Sequence, residues 1–328
     1  MTHDHTLTRD GSWGDLRVAV ILPCRNEAIA IGGVVQSFQA ALPSARVYVI
    51  DNASTDDTAS IATDAGAEVR YEPRPGKGNA VRRAFADIDA DVYIMADGDG
   101  TYDAARSREM VDQLVRDSLD MIVGVRVHDE GAAYRPGHVL GNRMFNFLFR
   151  TFFFEPYTDI LSGYRVLSRR FVKSFPLAAV GFEIELEMAA HAALIRAPSA
   201  EVKTAYAARP PGGESKLRTL KDGTMILRRM FRFLRLHKPR LVYGVIGAIG
   251  MASVAALGVP IVLEYLQTGL VPRFPTLIVA SALMVVVVQL LVAGIILDAQ
   301  AQYFAETKRL AYLRIPAVSP SSFKEDRA

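Results

Sequence analysis

The chain has 328 residues, half of them apolar, and a net charge of only +3. That balance excludes a disordered chain and gives no global basis for nucleic-acid binding, so no nucleic acid is expected as a partner. Cys24 is the only cysteine, which excludes an intrachain disulfide and a four-cysteine zinc site and suits a reducing compartment.

In chain order, residues 1–16 read as a flexible N-terminal segment without the apolar core of a secretory signal. From Arg17 to Ser215 the length and pattern fit one large domain. RVAVIL, VYVI, EVRY, DVYIMA and MIVGV read as buried strands and alternate with stretches of helical periodicity. This predicts an α/β domain, a mostly parallel sheet flanked by helices, with ligand-binding loops at the carboxyl ends of the strands.

The motifs fall in those loops. IMADGDGTYD, residues 94–103, places Asp97, Asp99 and Asp103 after an apolar run. Carboxylates so placed either move protons or hold a divalent cation that neutralises phosphate oxygens. Asp103 can instead start the next helix as a cap. Upstream, Gly76, Lys77, Gly78 and Asn79 form a loop leading into a helix, which offers N–H groups and a cation to an anion. Its spacing is not that of a Walker loop, and LPCRNEAIAIGG is no dinucleotide fingerprint. Asp51 and Asn52 end the second strand, where the alternative reading is a plain Asx-turn.

Composition changes after Ser215. Residues 216–240 carry nine Lys or Arg and one acid, Asp222, with Leu227, Met230, Phe231 and Leu234 on one helical face, a basic amphipathic juxtamembrane helix. Residues 241–263 and 275–297 are apolar runs of 23 residues, and about 20 helical residues cross a bilayer. They predict two transmembrane helices. His237, Lys238 and Arg240 precede the first and Lys308, Arg309 and Arg314 follow the second, against one Arg in the linker. The positive-inside rule then puts the α/β domain, both termini and the 298–328 tail in the cytoplasm. Gly244, Gly247 and Gly250 suggest a homo-oligomer through the hairpin. MFNFLFRTFFF, residues 144–154, reads either as an interfacial helix on the bilayer or as a core or subunit-contact helix.

VAVILPCRNE, VIDNASTDDT, GKGNAVR and ADGDGTY resemble the successive donor-site motifs of family 2 glycosyltransferases with a GT-A fold. DILSGYRVLSRR, GFEIELEM and RPPGGESKL resemble the branch that makes polyprenyl-phosphate sugars, of the dolichol-phosphate mannose synthase type. The resemblance spans about residues 17–240. It implies that Asp97 and Asp99 hold Mg2+ or Mn2+, Asp99 as the more direct ligand, and that Pro23, Asn26, Glu27, Asp51, Asn52, Lys77, Gly78 and Gly98 line the site for a nucleotide-diphosphate sugar. It implies a polyprenyl phosphate as acceptor, gripped by Arg126 and Arg143 with Ser162 and Arg165 nearby, whose planar forks suit phosphate. The alternative for each arginine is a surface ion pair. Asp159 matches an acid of the family motif that orients the sugar or the acceptor. Arg209, Ser215 and Lys216 fall in a Pro- and Gly-rich segment expected to close over the substrates. Inverting transfer follows, with no strong base required because a phosphomonoester is mostly dianionic at neutral pH.

Three competing readings stand beside this one. A processive polymer synthase of this fold would carry QxxRW, whereas Trp13 is the only Trp here. A membrane-anchored transferase acting on a glycan or other hydroxyl acceptor would need a carboxylate base. A non-catalytic membrane scaffold would have no need of an intact Asp97-Gly98-Asp99.

Overall fold

The computed structural model describes Trp13 and residues 16–128, 157–176, 184–207, 231 and 234–318. These fall into two compact units, one built on residues 1–219 with 308–328 and one on residues 220–307.

The first unit is a seven-stranded sheet. In chain order it contains β1 (Val18–Cys24), α1 (Ile31–Ala41), β2 (Arg46–Asp51), α2 (Thr58–Asp64), β3 (Glu68–Tyr71), α3 (Lys77–Asp87), β4 (Val92–Met95), α4 (Arg106–Arg116) and β5 (Met121–His128). After these come β6 (Arg165–Ser168), α5 (Arg169–Ser174), α6 (Ile184–Ile195) and β7 (Ser199–Tyr206). The strand order is β3-β2-β1-β4-β6-β5-β7, parallel except for β6, which runs against both β4 and β5. The five strands read from apolar runs are all present. β6 and β7 were not foreseen; β6 is four residues long and lies inside the SGYRVLS motif, and β7, at the sheet edge, has the polar alternation of SAEVKTAY.

Helices cover the faces of this sheet, which explains the near-continuous apolar strands. Val20, Leu22, Val49, Ile94 and Val166 are fully buried, and each such side chain contributes about 1.5–3 kcal/mol relative to exposure. The chain winds outward from β1 to β3 and then returns through α3 to β4 on the other side of β1. That reversal opens a crevice beyond the carboxyl ends of β1 and β4.

At the opposite end of the sheet, Asp120 sits fully buried just before β5. It accepts bonds from Ser168 Oγ at 2.6 Å, from Arg170 Nε and Nη2 at 2.5 and 2.7 Å, and from the Tyr312 hydroxyl at 2.6 Å. The Arg170 guanidinium also lies 4.6 Å from the Tyr312 ring centroid.

The second unit is a helical hairpin whose second helix continues past residue 307 into the first unit. α7 (Pro239–Thr268) ends on Gly269 in the left-handed conformation, and α8 (Phe274–Leu313) follows. Both are long and apolar enough to cross a membrane, and their outward side chains, such as Ile249 and Leu266, are exposed. The helices extend beyond the apolar runs at 241–263 and 275–297, because helical hydrogen bonding continues into the flanking polar residues. The hairpin also revises the reading of its glycines. A Cβ at Gly247 would strike Leu291 and one at Gly250 would lie 2.5 Å from Val287, so both positions serve the contact between α7 and α8. Only Gly244 of the three faces open space. Two of the cues for an oligomer are thus spent within the chain.

Candidate active site

Loops after β1, β2 and β4 build the near side of the crevice. Asn26, at φ 55°, donates its backbone N–H to Ser54 Oγ at 3.0 Å and accepts from the Thr55 N–H at 2.8 Å, clipping the first loop to the second. The Glu27 N–H reaches Thr58 Oγ1 at 2.9 Å. Asp51 is buried and accepts from the Ser54 N–H at 3.3 Å, which is the turn the alternative reading expected. Asn52 holds the next loop. Its amide donates to the carbonyls of Glu72 and Arg74 at 3.1 and 2.7 Å and accepts from the Gly76 N–H at 2.6 Å. Donor-site membership was expected of Asn52, but both sides of its amide are spent on shaping residues 72–76. Pro23 lies in β1, and Gly78 is buried in α3.

Gly76 precedes α3 at φ 130°, a conformation that favours glycine, and this turn aims Lys77 inward. The sequence suggested an open cation for phosphate. Instead the Lys77 side chain is 9% exposed and bridges two carboxylates, Asp97 and, at 2.5 Å, Glu185 of α6. Burial alone would lower its pKa, but Asp97 and Glu185 outweigh burial and raise it above the ordinary lysine value. The GFEIELEM motif by itself gives Glu185 no role. Its inward orientation was not legible because two further acids, Glu183 and Glu187, flank it at two-residue spacing.

Asp97 and Asp99 follow β4 directly. Asp97 is the more accessible, its side chain 30% exposed. Asp99 is buried, and its Oδ1 accepts from Thr101 Oγ1 at 2.6 Å and the Thr101 N–H at 3.2 Å. Gly98 between them is required by packing, since a Cβ would collide with Cys24 Sγ and lie 3.3 Å from Ile31 Cδ1. Cys24 is therefore a spacer. Burial first, then the carboxylates of Glu27, Asp97, Asp51 and Asp99, push its thiol pKa well up, so it stays protonated and unreactive. Asp103 accepts from the Ala105 N–H at 3.0 Å in the turn before α4, but the N-cap position of that helix is Ala105 and carries no side-chain cap bond, so Asp103 is not the expected cap.

The far side comes from β5, β7 and the segment before β6. Arg126 grips Asp159 with two bonds, at 2.7 and 2.8 Å, and its guanidinium carbon lies 5.5 Å from the Tyr206 ring centroid. Burial opposes the charge, yet Asp159 more than offsets it, so the Arg126 pKa is raised. Tyr102 joins the two sides. Its hydroxyl accepts from the Gly163 N–H at 2.9 Å and its ring lies 5.2 Å from that of Tyr206. A Cβ at Gly163 would sit 2.9 Å from both Asp97 Oδ2 and Lys77 Nζ.

Two expected acceptor residues fall elsewhere. Arg165 is completely buried, its Nε and Nη2 on the Ser162 and Ile160 carbonyls at 3.1 and 2.6 Å and its Nη1 3.4 Å from Met121 Sδ. With no exposed face it has no route to a lipid phosphate, and burial lowers its pKa. Ser162 is buried too, its hydroxyl bonded to the Gly124 carbonyl at 2.5 Å. These two brace the segment that carries Asp159. Arg143, Arg209, Ser215, Lys216 and the Phe-rich stretch 144–154 lie outside the described residues.

At the centre, two carboxylates, Asp97 and Glu185, hold the one ammonium of Lys77, and Asp99 follows Asp97 two residues on. The Asp159–Arg126 pair beside them is neutral. Hard carboxylate oxygens such as those of Asp97 and Asp99 suit Mg2+ or Mn2+. Among the described residues no group of three His, Cys, Asp or Glu is placed to hold a metal alone. The donor set therefore fits an ion that takes its remaining oxygens from substrate phosphate and water, as Mg2+ commonly does.

A mixed, mostly parallel sheet with acids at the carboxyl end of its switch-point strand is what a nucleotide-sugar transferase of the GT-A kind presents. Residues 19–175 match the family described as Glycosyl transferase family 2. Glycosyltransferase AglJ of Haloferax volcanii is 34% identical over 86% of this chain and 92% of that protein. Protein RfbJ of Shigella flexneri is 52% identical over 37% of this chain and 95% of that protein. The chain belongs to glycosyltransferase family 2, and it is an enzyme that transfers sugar from a nucleotide sugar. In fold it is similar to glucosyl-3-phosphoglycerate synthase from Mycobacterium tuberculosis, crystallised with Mn2+ and UDP-glucose, with a TM-score of 0.54 and 22% identity over 67% of this chain and 78% of that one.

Proposed function

We propose that this enzyme transfers one hexose, with inversion, from a UDP- or GDP-sugar to a polyprenyl phosphate, as the dolichol-phosphate mannose synthase type does, at the cytoplasmic face of a membrane that its helical hairpin spans. The observation that carries the reading is the carboxylate pair at the carboxyl end of β4, Asp97 with its side chain 30% exposed and Asp99 beside it, with Lys77 already held by Asp97 and Glu185. Carboxylates at the end of a strand repel a nucleoside diphosphate unless a divalent cation enters with it.

Asp97 and Asp99 would hold the cation, which when bound neutralises the diphosphate leaving group. The rest is the chain's own work. Asp51, buried at the end of β2, would contact the nucleotide base. Arg126 presents its guanidinium to the acceptor phosphate while Asp159 keeps it oriented through two bonds. A phosphate oxygen attacks the anomeric carbon, a new C–O bond forms on one face, and the bond to the nucleoside diphosphate breaks on the other. Tyr102, whose pKa is raised by burial and then by Asp97, stays protonated, so it adds no further negative charge. Positioning is the main contribution. The two apolar helices, α7 and α8, support placement beside a lipid acceptor.

The test is a transfer assay with the detergent-solubilised enzyme, a short polyprenyl phosphate and a panel of UDP- and GDP-hexoses, with and without EDTA. Metal-dependent formation of a polyprenyl-phosphate sugar is expected. Transfer only to glycan hydroxyls would replace the lipid phosphate as acceptor, and absence of any sugar transfer would favour a scaffold.

A further inference from the structure

Lys77 lies in an unusual position for a cation at a phosphate-handling site. It is almost closed off from solvent, and its two carboxylates differ in kind. Asp97 is on a loop and its side chain is 30% exposed, so it has a way out into the crevice. Glu185 is 5% exposed at the side chain and sits in the first turn of α6, whose Ile184, Met188 and Ala192 are packed in the core. Gly163 backs directly on the pair of Lys77 and Asp97. An ammonium so enclosed cannot lose its counter-charge without a large penalty, because a buried unpaired ion is far costlier than a paired one. If Asp97 were its sole partner, Asp97 could not turn to another cation.

We propose that Glu185 is a positioning residue that retains Lys77 when Asp97 leaves it for a divalent ion, so that the Lys77–Asp97 pair can open without stranding the ammonium. The proposal rests on the reading of Asp97 and Asp99 as the cation-holding pair. Glu185 touches neither donor nor acceptor; it acts through Lys77. Its effect is to keep Asp97 exchangeable between two positive partners, Lys77 before the metal nucleotide arrives and the metal afterwards.

The test measures coupling between metal and nucleotide by titration calorimetry on the full-length protein in detergent. Dissociation constants are determined for UDP and for GDP, with Mn2+ and with EDTA. The readout is the ratio of the two affinities for whichever nucleotide the wild type retains. In Glu185→Gln the ratio is expected to fall by roughly 10- to 100-fold, with affinity in EDTA little changed, as when an indirect partner of a metal ligand is removed. In the double variant Lys77→Met with Glu185→Leu the enclosed ammonium is gone, Asp97 no longer has to neutralise it, and the ratio should recover toward wild type. This isosteric apolar pair also keeps the test decisive should Glu185→Gln fold poorly, because a double variant that folds and lacks coupling overturns the proposal. A Glu185→Gln ratio equal to wild type overturns it as well. A wild type whose binding ignores Mn2+ overturns the parent reading and this proposal together. A wild type that couples, beside a Glu185→Gln that does too, overturns this proposal alone.

Discussion

The two ends of the sheet each bury a carboxylate beside a cation, and they do so differently. Before β5, Asp120 meets one guanidinium and two hydroxyls, so among the described residues each charge is matched and the cluster is sealed by Tyr312. After β4, Asp97 and Glu185 share one ammonium, and the more exposed of the two, Asp97, opens onto a crevice. A matched buried network fixes a fold, because removing one member strands the other. An unmatched one is costly for the fold alone and is tolerated where a ligand completes it. Arg165, buried with its guanidinium on backbone carbonyls, belongs with the first kind although it lies in a motif of the second.

This contrast can be broken at either end. Asp120→Asn leaves Arg170 without its carboxylate and should cost about 3–5 kcal/mol in chemical denaturation, while the folded fraction keeps its metal-dependent nucleotide binding. Unchanged stability would remove the distinction between the clusters. Asp99→Asn should lower sugar transfer by roughly 10²–10³-fold, with the fold retained in thermal melts. Wild-type turnover would remove the metal assignment. His191 sharpens the comparison on a smaller scale, being a buried base whose Nδ1 has no hydrogen-bond partner among the described residues. Burial, and then the charge of Lys308, lower its pKa to about 3, so it is neutral in the fold. The unfolded chain binds a proton below about pH 6.5. Its contribution is therefore complete above that pH and is lost toward pH 3, by up to about 1.4 kcal/mol per pH unit. His191→Phe should flatten this part of the stability profile, read from thermal melts across pH 6.5 to 3. An unchanged slope would assign the acid sensitivity to other groups.

The first five strands were legible because sheet strands covered on both faces become uninterrupted apolar runs, as in Val18–Cys24 and Val92–Met95. The acids at 97 and 99 and the glycine before Lys77 were legible because loops at strand ends carry side chains that packing alone does not select. What could not be read was the direction in which polar side chains point. Asn52 and Arg165 stand in motifs as convincing as those of Asp97 and Arg126, yet they brace backbone carbonyls. Glu185 is one acid in an acidic helix until α6 packs and turns it on Lys77.

The sequence by itself determined the family, the parallel core, the acidic motif and two apolar helices, since each is written in local pattern over consecutive residues. The tertiary structure alone decided which charges meet: Lys77 with Glu185 across 108 positions of chain, Arg126 with Asp159, and Asp120 with Tyr312. Such pairings depend on how distant segments are brought together, and electrostatic energy falls off over a few ångströms in space without regard to separation along the chain.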